Sequence, residues 1–428
     1  MARLAAGAEL PVGRAPLVEP GSFAAGIVHL GLGAFHRAHQ AVYTEAAMAY
    51  SGGDWGIIGI APRSRDIVDA LAAQGLLYSV VTLGGSGARA VSAFSDVLNA
   101  DSDPARVLKA LADPAVKVVT LTVTEKAYRV ESPIMRLLVA GLRVRGGAPI
   151  TVLSCDNLPS NGSALAAVVL GLAPELASSV SFPSCMVDRI VPATSDSILD
   201  RAATDLGMRD LAAVGAEPFS QWVIEDNFAA GRPAWEAGGA QFTEDVTSWE
   251  HLKLRALNGV HSALAYLGSL AGRETIADAL QLPGMGNMLR QYVAQEVAVS
   301  MSAPDGVDIL KYGETVLTRF ANPELGHRTA QVAMDGTQKL PQRLLSVLNS
   351  VPSPQLATLI AAAWAQYAAG DQPLDDPLAA RVRADLATEA LFGEEGVVPV
   401  PDPARREMID NWRREIAKHG AAKVVACL

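Results

Sequence analysis

The chain is poor in cysteine, in basic runs and in long apolar stretches, and each shortage excludes a class of protein. Its three cysteines, Cys155, Cys185 and Cys427, contain no C-x-x-C pair and form an odd set. Neither a disulfide framework nor a zinc site is indicated. A formal net charge of −10 without any lysine- or arginine-rich run argues against nucleic acid as a partner. No stretch reaches the roughly 20 apolar residues of a membrane span, and Met1 to Pro20 lacks the apolar core of a signal peptide. A cytoplasmic protein off the membrane is expected. Half of the residues are hydrophobic and 19% are charged, a balance that builds packed cores and excludes disorder. At 428 residues the chain exceeds one ordinary core, so two or three domains are expected.

What is there begins with Gly26-Ile27-Val28-His29-Leu30-Gly31-Leu32-Gly33, a buried strand running into a glycine turn, with helix from about His36 through Ala47. Dinucleotide-binding units place a pyrophosphate at such a turn, on free N–H groups of a helix start. Gly31 permits the turn and Gly33 lets backbone approach the phosphates. The third glycine of the fingerprint is missing, with His36 in its place, so the motif alone also fits a plain turn. Further apolar strands are expected at 55–61, 78–83, 116–123 and 150–154, separated by helical segments such as 63–73. Together they predict a parallel sheet covered on both faces. The second strand ends without the acid that usually selects NAD. Arg63 and Arg65 stand there instead, either meeting a 2′-phosphate of NADP or simply solvated at a helix start. Strand ends deliver Thr124-Glu125-Lys126 and Cys155-Asp156-Asn157 to the cofactor edge. Asn157 is placed to donate to a substrate oxygen, or with Asp156 to cap a helix starting near Asn161. Asp188-Arg189 lies inside an apolar run and reads as a structural ion pair or a functional one.

From about residue 245 the pattern changes to helices, drawn over 247–270, 273–281, 286–301, 312–320, 339–350, 354–369 and 377–391. The first carries Lys253, Asn258 and His261 near one face, within the scatter of 3.6 residues per turn. An amine, an amide and an imidazole then share one volume. A lysine serves as a general base only if desolvation or a neighbouring cation lowers its pKa. The amide would stabilise an alkoxide and the imidazole would hold a hydroxyl; a solvated surface helix is the plain alternative. Gly326-His327-Arg328 and Asp335 to Arg343 read as cations clustered around a turn, suited to an anionic or polyhydroxylated ligand.

The segments GIVHLGLGAFHRAHQ (26–40), LTVTEKAY (121–128), TVLSCDNLPSNG (151–162), FPSCMVDRIVPAT (182–194), KLRALNGVHSALAYLG (253–268) and AMDGTQKLPQR (333–343) are collinear across nearly the whole chain. Through them the chain resembles the polyol-specific long-chain dehydrogenases, the family that includes mannitol 2-dehydrogenase and fructuronate reductase. The resemblance implies an α/β fold: a Rossmann-like, doubly wound parallel sheet over residues 1–245 that binds the nicotinamide dinucleotide, and a mostly α-helical substrate domain over 246–428. It implies metal-independent chemistry with NAD, NADP remaining open, on a small sugar acid or polyol, in a protein that is often monomeric. By the same resemblance Lys253 is the general base, Asn157 and Asn258 form the oxyanion hole, and His261 binds substrate hydroxyls. Gly31, Gly33, Phe35, His36, Arg37, Arg63, Glu125 and Lys126 are the candidate cofactor contacts. Asp188, Arg328, Lys339 and Arg343 are candidate substrate contacts. The sequences 61–66 and TQKLPQR lean towards fructuronate and mannonate, with Lys339, Arg343 or Arg328 against a carboxylate. The mannitol and fructose pair is the alternative. The segment between Tyr128 and Ile150 is shorter than is usual in the family and is expected to be a loop over the cofactor cleft. A cofactor-binding sensor without turnover would be expected to lack the base or the amides, and a zinc enzyme would have to rest on His36 and His39 alone.

Overall fold

A computed structural model describes residues 1–428 and divides them into two compact units, Met1–Val246 and Thr247–Leu428. The first unit holds twelve strands: β1 (Ala25–Leu30), β2 (Gly56–Ala61), β3 (Tyr78–Thr82), β4 (Gly87–Val91), β5 (Phe94–Asn99), β6 (Val118–Leu121), β7 (Ile150–Ser154), β8 (Val180–Ser181), β9 (Cys185–Asp188), β10 (Val214–Ala216), β11 (Gln221–Glu225) and β12 (Gln241–Thr243). Six of them make one parallel sheet in the order β5-β2-β1-β6-β7-β8. Alternate side chains feed different cores, because strand residues point to opposite faces. Ile27, Ile57, Val118 and Leu153 enter one apolar cluster with Tyr78, Trp222 and Trp235. Val28, Ile60, Val119 and Val152 enter another with Leu138, Leu142 and Leu165 from helices. A sheet buried on both faces explains why its strands read as unbroken apolar runs.

The chain visits β1, β2 and β5 on one side of the sheet and then crosses to β6, β7 and β8 on the other. The order therefore reverses between β1 and β6. In open parallel sheets the crevice beyond the carboxyl ends at such a reversal is where ligands bind.

Three sequence expectations are corrected here. Residues 78–83 do form a strand, but β3 leaves the parallel sheet: it pairs antiparallel with β4 and parallel with β10. Gly84, at φ +74°, helps turn the chain back so that β4 folds onto β3. The strand that completes the large sheet is β5, whose Ser95 and Asp96 disguise it. At a sheet edge a charge is tolerated, and Asp96 meets Arg106 at 2.8 Å. The segment between Tyr128 and Ile150 is not a loop. Pro133–Val144 is a helix that buries Ile134, Met135, Leu138 and Leu142 against the sheet core, as the crossover from β6 to β7. The helix after the glycine turn starts at Ala34, stops at Ala38 and restarts as Gln40–Ser51, with His39 between them at φ −126° and ψ −90°. Arg189 donates to the Ala38 carbonyl at that break and to the Glu217 carbonyl at 2.9 Å.

The second unit is helical. Its centre is Gln355–Ala368, with nearly every residue buried, packed between Gly259–Leu270 and Pro403–His419. Alanine on all sides lets neighbouring helices approach closely, which accounts for the abundance of that residue. The expected helix 377–391 is two short helices, Ala379–Ala384 and Thr388–Phe392. The long helix Pro403–His419, not anticipated, begins where Asp402 accepts from the Ala404 N–H at 2.9 Å, a standard N-cap with proline at the first helical position. No helix is long and apolar enough to cross a membrane.

Candidate active site

In the first unit the ends of β1, β6 and β7 carry the residues of interest. Gly31 has φ +108°, and a Cβ on it would lie 2.1 Å from the Thr122 carbonyl oxygen; only glycine fits. Gly33 is extended and exposed, and a Cβ on it would meet only the Gly31 carbonyl oxygen, at 3.7 Å. The turn is pinned from beneath by buried His29. Its Nε2 lies 3.0 Å from the Gly31 carbonyl and its Nδ1 2.8 Å from Thr120 Oγ1, while Thr122 Oγ1 donates to the same Gly31 carbonyl at 2.8 Å. Burial holds the His29 imidazole neutral, its pKa lowered to about 3. A neutral ring that donates from Nε2 must accept at Nδ1, which suits the Thr120 hydroxyl.

The helix start at Ala34 offers backbone N–H groups beside Gly33. Phe35 is half-buried there and stacks on His39 at 5.0 Å. The side chains of His36 and Arg37 turn inward. His36 is fully buried, stacked on His29 at 3.3 Å, and desolvation holds its pKa well below the usual imidazole range. Arg37 is 6% exposed, and burial lowers its pKa to about 10 despite the neighbouring Tyr78 and Asp210. Only their main chains stand at the turn. Arg63 is exposed after β2, its carbonyl accepting from Asn99 Nδ2 at 3.1 Å.

Beyond β6, Glu125 and Lys126 lie exposed on a single 3-10 turn, Glu125–Ala127. Thr124, just before it, has φ +70° and ψ 156°. A β-branched residue in that region costs on the order of 1–3 kcal/mol. It is held by Asp156 at the end of β7, whose carboxylate accepts from the Thr124 N–H at 2.8 Å, the Val123 N–H at 3.1 Å and the Tyr128 hydroxyl at 2.7 Å. Three bonds to a charged acceptor, each worth about 1.5–3 kcal/mol, outweigh that strain. Asp156 is buried, and desolvation raises its pKa against the lowering effect of these donors. It therefore does not cap the following helix, which starts at Asn161 after Ser160 in a left-handed conformation. Asn157 is exposed at the same turn. Asn161 anchors it by donating to the carbonyls of Asp156 at 3.1 Å and Cys185 at 2.7 Å. Asp188 is buried at the end of β9.

In the second unit the helical run 246–270 is continuous but not uniform. Lys253–Asn258 is a π-helical segment between Val246–Leu252 and Gly259–Leu270. At α-helical pitch Lys253 and Asn258 would be about 140° apart around the axis. The wider i→i+5 winding brings them towards one face, and His261 follows three residues on; such segments gather at functional sites. Tyr292, itself on a π-helical segment (Tyr292–Val297), donates to the Arg255 carbonyl at 3.3 Å, an insertion into the helical ladder that accompanies the change of pitch. Gly259 leaves the room, since a Cβ there would lie 2.6 Å from the Tyr292 hydroxyl. Lys253 is buried and Asn258 half-buried.

His261 stacks between Phe320 at 4.5 Å and His327 at 5.2 Å. Its Nε2 is closed off from solvent without a hydrogen-bond partner in the protein. Desolvation, then the charges of His327, Arg343, Lys339 and Arg319, hold the ring neutral. Asp335 to Arg343 is helix rather than turn: Gly336–Leu340 runs into a π-helical segment at Pro341–Leu345, where proline cannot donate to the ladder. Arg343 donates to Ser262 Oγ at 2.9 Å, next to His261, and burial lowers its pKa. Lys339, half-buried, is 3.4 Å from the Val332 carbonyl; burial and then the Arg343 charge lower its pKa. Arg328 lies apart in this respect, exposed at a bridge with Thr275. No group of three His, Cys, Asp or Glu residues could hold a metal ion. Asp156, Tyr128, Asn161, Ser262 and Tyr292 were not singled out from the sequence as supporting residues; all but Tyr292 had a signal, their place within the matched motifs.

Residues 25–237 match the mannitol dehydrogenase Rossmann domain and residues 245–397 the mannitol dehydrogenase C-terminal domain. The chain is 38% identical to D-mannonate oxidoreductase of Escherichia coli (strain K12), over 98% of each chain. It is 36% identical to mannitol 2-dehydrogenase of Cereibacter sphaeroides, over 81% of each. Among solved structures it is similar to the Pseudomonas fluorescens mannitol 2-dehydrogenase ternary complex with NAD and D-mannitol. That likeness has a TM-score of 0.84 and 32% identity, and covers 97% of this chain and 96% of that one. The chain belongs to the mannitol dehydrogenase family and is an oxidoreductase of polyols or sugar acids.

Proposed function

We propose that this enzyme interconverts a 2-ketohexuronate and the corresponding hexonate, D-fructuronate and D-mannonate, with NAD as cofactor. The first unit is the proposed dinucleotide-binding domain and the second the proposed substrate domain. The observation that carries the substrate assignment is the charge around His261: a neutral imidazole with an unpartnered buried Nε2, beside Lys339 and Arg343. A polyol needs hydroxyl partners alone. A carboxylate needs fixed cations, and a planar guanidinium held by Ser262 meets it with paired, charge-assisted bonds. The 38% identity to D-mannonate oxidoreductase points the same way.

The glycine turn fits a pyrophosphate, since Gly33 is exposed beside the helix start and the His29 lacing presents the Gly31 turn in one form. Gly31, Gly33, Phe35 and the main chain of His36 and Arg37 would hold it, with Arg63, Glu125 and Lys126 on the neighbouring turns. When bound, the nicotinamide supplies and takes up the hydride. In the reductive direction Lys253 delivers a proton to the forming alkoxide; in oxidation its free amine removes it. The side-chain amides of Asn157, in the first unit, and Asn258, in the second, are the proposed oxyanion donors. Oxyanion donors of this kind are each worth about a hundredfold or more in turnover. His261 Nε2 engages a substrate hydroxyl, and Asp188, buried at the end of β9, is a further proposed substrate contact.

Arg343→Ala tests the reading. It should raise KM for fructuronate far more than KM for fructose. Equal effects on both substrates would remove the carboxylate from the account and leave a mannitol-type enzyme.

A further inference from the structure

Asp156 and Tyr128 have no part in the chemistry above, yet they are the most constrained polar pair at the sheet edge. Asp156 lies directly before Asn157 at the exit of β7. Its Oδ2 accepts from the Tyr128 hydroxyl and the Val123 N–H, and its Oδ1 from the Thr124 N–H. Tyr128 also meets the hydroxyl of Ser154, the last residue of β7, two positions before Asp156. With the tyrosine proton committed to Asp156, the Ser154 hydroxyl donates to the tyrosine oxygen, so the three groups form one directed chain, Ser154 to Tyr128 to Asp156. Every hydrogen-bond partner of the carboxylate is a donor, the arrangement an ionised acid requires, with the Glu125 charge nearby opposing it. The same carboxylate holds Thr124 in a left-handed conformation that threonine avoids. Released, that turn would relax.

We infer that Asp156 and Tyr128 are positioning residues that lock the turn after β6 to the turn after β7 and so hold the Asn157 amide in place for the alkoxide. The inference rests on the role proposed for Asn157. The lock works through a neighbour: the backbone of residue 157 is set from one side by Asp156 and from the other by Asn161, which donates to the Asp156 and Cys185 carbonyls. Removing the phenol hydroxyl leaves the carboxylate one donor short and the Ser154 hydroxyl without its acceptor, and both turns loosen together. Displacing a reacting donor by even about 1 Å costs on the order of a hundredfold in rate.

The test uses Tyr128→Phe, with Asp156→Asn as the second variant, in the full-length enzyme. Hydrogen exchange of peptides covering 122–128 and 155–158 reads the lock without any substrate. Both segments should exchange faster in Tyr128→Phe; native protection in either would overturn the lock, whatever the enzyme's substrate. Turnover reads the role. Tyr128→Phe should lower kcat on the order of tenfold to a hundredfold, and the same change placed in an Asn157→Ala background should cost almost nothing more. A similar loss in both backgrounds would mean a general structural role and would overturn the inference. An Asn157→Ala enzyme with native kcat would instead overturn the oxyanion role itself, which separates the two failures.

Discussion

Glu296 offers a prediction whose size follows from the structure. It sits on the π-helical segment Tyr292–Val297, buried, and its carboxylate accepts from the N–H groups of Leu356 at 2.7 Å and Ala357 at 2.8 Å. It thereby caps Gln355–Ala368, the central helix of the second unit, which packs on the helix carrying His261. Burial raises its pKa from 4.5 to about 7, against the lowering effect of the two N–H donors. A folded pKa above the unfolded one means that the folded state holds its proton more tightly. The resulting stabilisation is complete below about pH 4.5 and is lost as pH rises through about 7. A difference of about 2.5 pKa units corresponds to about 3 kcal/mol. Glu296→Gln keeps the shape and cannot titrate. Urea unfolding of both proteins from pH 4.5 to 8 should show the native enzyme losing about 3 kcal/mol relative to the variant across that window. Parallel stability profiles would refute a buried carboxylate that ionises at a cost.

Gly31→Ala should abolish NADH binding or folding, since the new Cβ meets the Thr122 carbonyl oxygen at 2.1 Å; fluorescence titration with NADH checks this, and native affinity would show that the turn is not as drawn. Asp210→Ala should lower stability by roughly 3–5 kcal/mol, because its carboxylate accepts from Gln74, from Ser79 twice and from Ala212, and truncation strands those donors. Chemical denaturation measures it, and a loss below about 1 kcal/mol would contradict the network.

Much of this was legible in the sequence because the signals were local. The glycine turn and the strands β1, β2, β6 and β7 follow from spacing and apolar runs. What was hidden depended on partners remote in sequence. Strand β5 is masked by Ser95 and Asp96, which only an edge position accommodates. β3 is as apolar as a central strand, and its departure to a second sheet is decided by pairing with β10, more than a hundred residues later. The π-helical pitch at Lys253 goes with a tyrosine at position 292 and room at Gly259, which no helical periodicity reveals. Asp156 looked like a helix cap because its acceptors serve a turn some thirty residues earlier.

The most direct test of the central proposal follows NADH absorbance with purified enzyme and either D-fructuronate or D-fructose, with NADPH and Lys253→Ala run in parallel. The account predicts rapid oxidation of NADH with fructuronate, little with fructose, and none in the variant. Turnover of fructose in preference to fructuronate would contradict the sugar-acid assignment, and undiminished turnover by Lys253→Ala would contradict the lysine base.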